Sequence, residues 1–341
     1  MVMNSILLEL ALSFGVAFAV SVACTPCVRF FAERTGVVDH PTSARKIHTT
    51  PIALLGGLAI FFAIILAGVV AIRLGFLPGI FIREKYLIGI CVATAVLIIG
   101  GYLDDRYTLR PWQLIITPSL ATLVIIASGI GIRTITNPFG GLLDLRVWAG
   151  LFTFVWLMTM TYTTKLLDGV DGLVSGITVI GAIIIAAVSL RTEVFQPDTA
   201  VLAIILAGAF LGFLVCNFHP ASIFLGESGS TLAGFLLGVL AIIAGGKIAT
   251  TLLILGLPLF DAVVVILRRI FKARILPSGG DASHLHFRLL RRGWSQRQTA
   301  LFYYLVAGLF GVSTLFLRGI EKSIAIVLLL VLLMGLLVYA A

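Results

Sequence analysis

Long apolar runs fill most of this chain and dictate the solvent in which it folds. Eleven can be drawn, at about residues 6–30, 54–72, 86–103, 112–130, 147–162, 174–190, 199–215, 231–245, 250–267, 299–317 and 324–341. Crossing the hydrocarbon layer takes about 20 apolar residues in a helix. In lipid every backbone N–H and C=O must be bonded within the segment, which a helix achieves. Charged residues make up 11% of the 341, against about 25% in soluble domains. The expected fold class is therefore an all-α polytopic membrane protein of about eleven transmembrane helices, one domain over residues 1–341. Its expected partners include the lipid bilayer and no nucleic acid, and a homodimer is compatible with the sequence. The first charge is Glu9, and Arg29 follows the apolar run, so the basic start of a signal peptide is missing and the first run is read as a retained span. Cys24 and Cys27 form a C-x-x-C without a second pair or a nearby His, and are read as packing residues.

Basic residues sort by alternate loops, fifteen on one side against nine on the other. The positive-inside rule makes the richer side cytoplasmic. The same side receives Asp39, Asp104, Asp105, Asp168, Asp171, Glu227, Asp261 and Asp281. Acidic residues contribute little to topology, so their gathering points to a site. On the opposite side, 132–148 holds Asn137-Pro138-Phe139-Gly140-Gly141 between β-prone runs and is expected to form a small outer β-hairpin.

Asp104 and Asp105 stand where the third run leaves the membrane. Ionisable groups at that depth are functional candidates, and adjacent carboxylates repel unless a cation intervenes, which points to Mg2+ or a cationic contact. Lys165-Leu166-Leu167-Asp168-Gly169-Val170-Asp171-Gly172 joins the fifth and sixth runs. At i, i+3 its two aspartates are expected to share a face of a helical turn. Asn217-Phe218-His219-Pro220 opens a loop that continues through Phe224, Gly226, Glu227 and Ser228 into the eighth run. Small residues at a helix start suit an anion, and Glu227 beside them suits a metal that bridges phosphates. His284 and His286, with Arg288 nearby, lie two apart. That is not the i, i+4 spacing of a helical zinc pair, and they are read as hydrogen-bond donors to phosphate. Arg45-Lys46-Ile47-His48 adds further donors.

These blocks, in this order, resemble the polyprenyl-phosphate N-acetylhexosamine-1-phosphate transferases of bacterial envelope synthesis. The H-x-H loop and eleven-helix pattern make the branch using UDP-N-acetylglucosamine the most similar. The resemblance implies Mg2+ (or Mn2+) as cofactor, a UDP-sugar donor and a polyprenyl phosphate acceptor such as undecaprenyl phosphate. It implies a multi-pass protein of the inner (plasma) membrane whose active site faces the cytoplasm. The expected reaction is attack of a lipid phosphate oxygen on the sugar-linked β-phosphate, with release of UMP. On this reading Asp104, Asp105, His284 and His286 are catalytic, Glu227 and Asp104 hold metal, and Lys46, His48, Lys165, Asp168, Asp171, Asn217, Phe224, Ser228 and Arg288 bind substrate. Lys165, Glu227 and Phe287 depart from the family pattern of Asn, Asp and a second His. A phospho-N-acetylmuramoyl-pentapeptide transferase is the enzymatic alternative, although its basic loop typically carries three consecutive histidines. A transporter is the other, but its charges would sit near the midplane in broken or repeated segments.

Overall fold

The computed structural model describes residues 2–41, 50–77, 82–136, 141–192, 194–245, 248–268, 284–317 and 320–339. Lys46, His48 and Asp281 lie outside them, as does the centre of the predicted outer loop. Every predicted apolar run contains helix. The order is α1 Val2–Thr35, α2 Gly56–Arg73, α3 Glu84–Tyr107, α4 Ile116–Ser128, α5 Ala149–Leu167, α6 Leu173–Ser189 and α7 Pro197–Asn217. Then come α8 Gly226–Ile243, α9 Ile248–Ile254, α10 Gly256–Arg268, α11 Leu285–Arg291, α12 Gln296–Ser313 and α13 Ile320–Tyr339.

Among the described residues six helices are long and apolar enough to cross a membrane: α1, α2, α3, α7, α8 and α13. A seventh crossing results if α9 and α10 form one broken span bent by 78°. The 250–267 run was expected to be one helix. Pro258 explains the break, because it has no N–H to bond Ile254 and its ring blocks a helix continuing from that side. It is tolerated in the first turn of α10. The remaining runs form α4, α5, α6 and α12, which are too short or too polar to qualify by length and composition alone. In α5 the cause is visible in Thr159, Thr161, Tyr162, Thr163 and Thr164.

Burial separates inner helices from outer ones. Most of α8 is buried, whereas α13 turns Val331, Met334 and Val338 outward. Such apolar exposure has its natural solvent in lipid. Glycine lets neighbours approach α8 closely: a Cβ on Gly234 would collide with the Met160 carbonyl of α5, and one on Gly101 of α3 with the backbone of Ser228. The predicted hairpin is present, Thr134–Thr136 pairing antiparallel with Leu142–Asp144. A second, unpredicted strand pair joins Val38–Asp39 to Ile52–Ala53, and Ala53 bridges Ile223. This pair delivers the flanks of the Arg45–His48 block to the start of α8.

Candidate active site

Three helix ends meet at Glu227. Gly226 adopts φ +71°, and a Cβ there would strike the Asp105 carboxylate. A glycine therefore turns the chain and admits the carboxylate in one step. Asp105 Oδ1 accepts the Glu227 backbone N–H at 2.9 Å, while its Oδ2 is buried with no partner among the described residues. Lys165, in the last turn of α5, donates from Nζ to Glu227 Oε1 at 2.5 Å. Both side chains are largely enclosed, at 19% and 13% exposure. The ammonium also lies 5.5 Å from the centre of the Tyr162 ring.

Asp104 and Asp105 do not act as a matched pair. Successive helix residues point about 100° apart, and Asp104 Oδ1 accepts the Leu109 N–H at 2.7 Å where α3 ends. Asp105, not Asp104, is the carboxylate bonded to the Glu227 turn. The expectation that Asp168 and Asp171 share a helical face is also corrected. The helix ends at Leu167, and α6 begins only after Gly172 at φ +76°. Asp171 Oδ2 turns to His219 Nδ1 at 2.7 Å and the Ala221 N–H at 3.1 Å. Dense surroundings, and then the charges of Glu227 and Asp171, push the Asp168 carboxyl up to about 7. The residue is nevertheless exposed, so solvent or a cation reaches it.

Asn217 is 3% exposed, and both ends of its amide are engaged, by Ser175 Oγ at 2.7 Å and the Ile223 carbonyl at 3.0 Å. It holds the loop before α8. Phe224 is half-buried, its backbone paired with Ala53 and Gly56. Ser228 is not the N-cap of α8; Leu225 takes that position. Its hydroxyl is buried against Gly57 and has no partner among the described residues. With Leu55, Leu58, Ile98, Ile99 and Tyr102 it lines an apolar groove of about 230 Å³.

His284 and His286 are buried rather than displayed, at 6% and 1% exposure. His284 Nδ1 meets Asp261 Oδ2 at 2.9 Å, and Asp261 Oδ1 accepts the Leu285 N–H at 3.0 Å. The two imidazoles stack 5.6 Å apart, and His286 also packs on Phe287. A Cβ on Gly169 would lie 2.8 Å from His286 Nε2, so this loop abuts the Asp168–Asp171 turn. Arg288 is half-buried. Asp261 was counted among the gathered carboxylates but given no role of its own, although an ionisable group inside an apolar run is a signal in its own right. His219 was also missed; its carbonyl accepts from Arg297 Nε at 2.9 Å.

Burial, and then the charge of His284, lower the His286 imidazole from 6.5 to about 3. It is therefore a neutral donor or acceptor near pH 7, not a cation. The penalty for charging it is absent above about 6.5 and grows as the pH falls toward about 3. Going from pH 7.5 to 5 should weaken folding by about 2 kcal/mol through this group. His286→Asn is expected to narrow the gap in melting temperature between those two pH values. An unchanged gap would refute the assignment.

Among the described residues no three His, Cys, Asp or Glu side chains cluster closely enough to hold a metal. Mg2+ seldom needs such a cage, since it commonly takes one or two carboxylates and completes its shell with substrate phosphates and water. The unpartnered Oδ2 of Asp105 next to Glu227 fits that pattern.

The sequence profile of "Glycosyl transferase family 4" matches residues 87–245, which include Asp105, Lys165 and Glu227. A Bacillus subtilis (strain 168) protein described as a probable undecaprenyl-phosphate N-acetylglucosaminyl 1-phosphate transferase is 32% identical, over 96% of this chain and 91% of its own. The decaprenyl-phosphate N-acetylglucosaminephosphotransferase of Mycobacterium tuberculosis (strain ATCC 25618 / H37Rv) is also 32% identical, over 90% and 82%. A phospho-N-acetylmuramoyl-pentapeptide-transferase of Synechococcus elongatus is 29% identical, over 70% and 71%.

Proposed function

The chain belongs to glycosyl transferase family 4, the polyprenyl-phosphate N-acetylhexosamine-1-phosphate transferases, and we propose that it moves N-acetylglucosamine 1-phosphate from UDP-N-acetylglucosamine to a polyprenyl phosphate, with UMP as the leaving group. The observation that carries this reading is the meeting of Asp105, Lys165 and Glu227 from three helix ends. It supplies two carboxylates for a divalent ion and one ammonium for phosphate around the first turn of α8.

Both reactants are anions, so the protein's work is positioning and charge neutralisation. Glu227 and Asp105 are the residues that would hold Mg2+ (or Mn2+), with Asp104 beside them. When bound, the ion would neutralise the donor pyrophosphate and UMP would leave. Phosphomonoesters have a second pKa near about 6, so the acceptor oxygen is already ionised at neutral pH and needs no strong base. Lys165 and Arg288, with Lys46 from the first loop, would bind phosphate oxygens. Phe224, Asp168 and the loop held by Asn217 and Asp171 would flank the nucleotide. His286, being neutral, would donate one N–H. The groove between α2 and α3 is apolar and is lined in part by Ser228, the neighbour of Glu227, which suits the first isoprene units of the acceptor. The site would face the cytoplasm, the side to which the positive-inside rule assigns the richer set of basic loops.

The test offers the purified protein, with undecaprenyl phosphate, a panel of UDP-N-acetylglucosamine, UDP-N-acetylgalactosamine and UDP-N-acetylmuramoyl-pentapeptide. Turnover should be fastest with UDP-N-acetylglucosamine. Preference for the muramoyl-pentapeptide donor would overturn the proposal.

A further inference from the structure

Lys165 and Glu227 present a conflict that the reaction must resolve. Glu227 is the best-placed carboxylate for the metal, yet Oε1 already holds the Lys165 ammonium at 2.5 Å. An ammonium in contact with a ligand oxygen repels an incoming divalent cation and occupies one of its lone pairs. We infer that Lys165 is a displaceable counter-ion: it holds Glu227 in the metal-free enzyme and must leave before a divalent ion can bind there. The inference rests on the metal-binding reading above.

Two observations support displacement rather than a fixed pair. Lys165 ends a flexible four-carbon arm whose ammonium already lies 5.5 Å from the face of Tyr162, a second attractive surface for a cation. Asp105, bonded to the Glu227 backbone, keeps Oδ2 buried and unpartnered among the described residues. The lysine thus neutralises one carboxylate and leaves the other for a different cation. Once released, its ammonium would be available to the donor phosphates. Metal binding and a free phosphate-binding lysine are then the same event, and the ion binds weakly until an anionic donor accepts Lys165.

Mn2+ binding to the purified full-length protein in detergent, followed by the electron paramagnetic resonance of free Mn2+ with no nucleotide present, tests this. Lys165→Gln keeps an N–H for Glu227 but removes the charge, and should bind Mn2+ at least about tenfold more tightly than wild type. Lys165→Arg keeps the charge and should stay within about threefold of wild type. Lys165→Met gives a second uncharged variant, in case the glutamine variant folds poorly. Lys165→Met/Glu227→Gln removes both charges of this pair together; it should fold and lose the tight binding. Equal Mn2+ affinity in wild type and both uncharged single variants overturns the counter-ion role and leaves the metal site standing. No Mn2+ binding by any of these proteins, with or without UDP-N-acetylglucosamine, overturns both.

Discussion

Glu227→Gln should reduce sugar-phosphate transfer by about 100- to 1,000-fold, the loss typical of removing one preorganised charge-stabilising group. The substitution keeps the side-chain volume and leaves the backbone contacts of the turn intact. The Glu227 carbonyl still accepts from Thr231 Oγ1 at 2.7 Å, and its N–H still meets Asp105. What disappears is the charge that anchors Lys165 and would hold the metal. Lys165 then becomes an enclosed cation without its partner, so some stability is lost as well. Transfer and thermal unfolding should therefore be measured on the same preparation. Turnover near wild type would remove Glu227 from the mechanism.

Gly101→Ala comes next in expected effect, because it acts on the approach of α3 to α8. The new methyl group would overlap the Ser228 nitrogen and Cα, and a backbone cannot swing aside as a side-chain tip can. Overpacking of this kind costs about 1–3 kcal/mol. The displaced backbone adjoins Glu227, so turnover should fall at least about tenfold alongside the melting temperature. Gly68→Ala is the control, since a Cβ on Gly68 meets nothing within 4 Å. If the two variants behave alike, the close approach of α3 does not set the geometry of the site.

The helices were legible in the sequence because lipid leaves the backbone few alternatives, and each predicted apolar run does contain helix. The small hairpin was legible from the turn residues of its sequence. The break before Pro258 was carried by a residue whose consequence was overlooked. Spacing failed at Asp168 and Asp171, because the i, i+3 argument assumes a helix, whereas α5 ends at Leu167 before either aspartate and α6 starts only after Gly172. Site membership was readable for Asp105, Lys165 and Glu227, but their bonding was not. Lys165 and Glu227 are 62 residues apart, and nothing local says that one neutralises the other. The adjacent aspartates looked equivalent until the end of α3 sent Asp104 to Leu109 and Asp105 to Glu227. His284 and His286 carried a signal of function, but only burial in the fold identifies Asp261 as the partner of the first and leaves the second neutral.

The nucleotide product tests the central claim most directly, because it reports which bond breaks. Purified protein, UDP-N-acetylglucosamine, undecaprenyl phosphate and Mg2+ would be incubated together, and the nucleotide and lipid products resolved by mass spectrometry. Sugar-phosphate transfer predicts UMP and a lipid pyrophosphate-linked N-acetylglucosamine in equal amounts, both lost on chelation of the metal. Release of UDP with a lipid carrying sugar through a single phosphate would mean that the sugar alone is transferred, and would contradict the account.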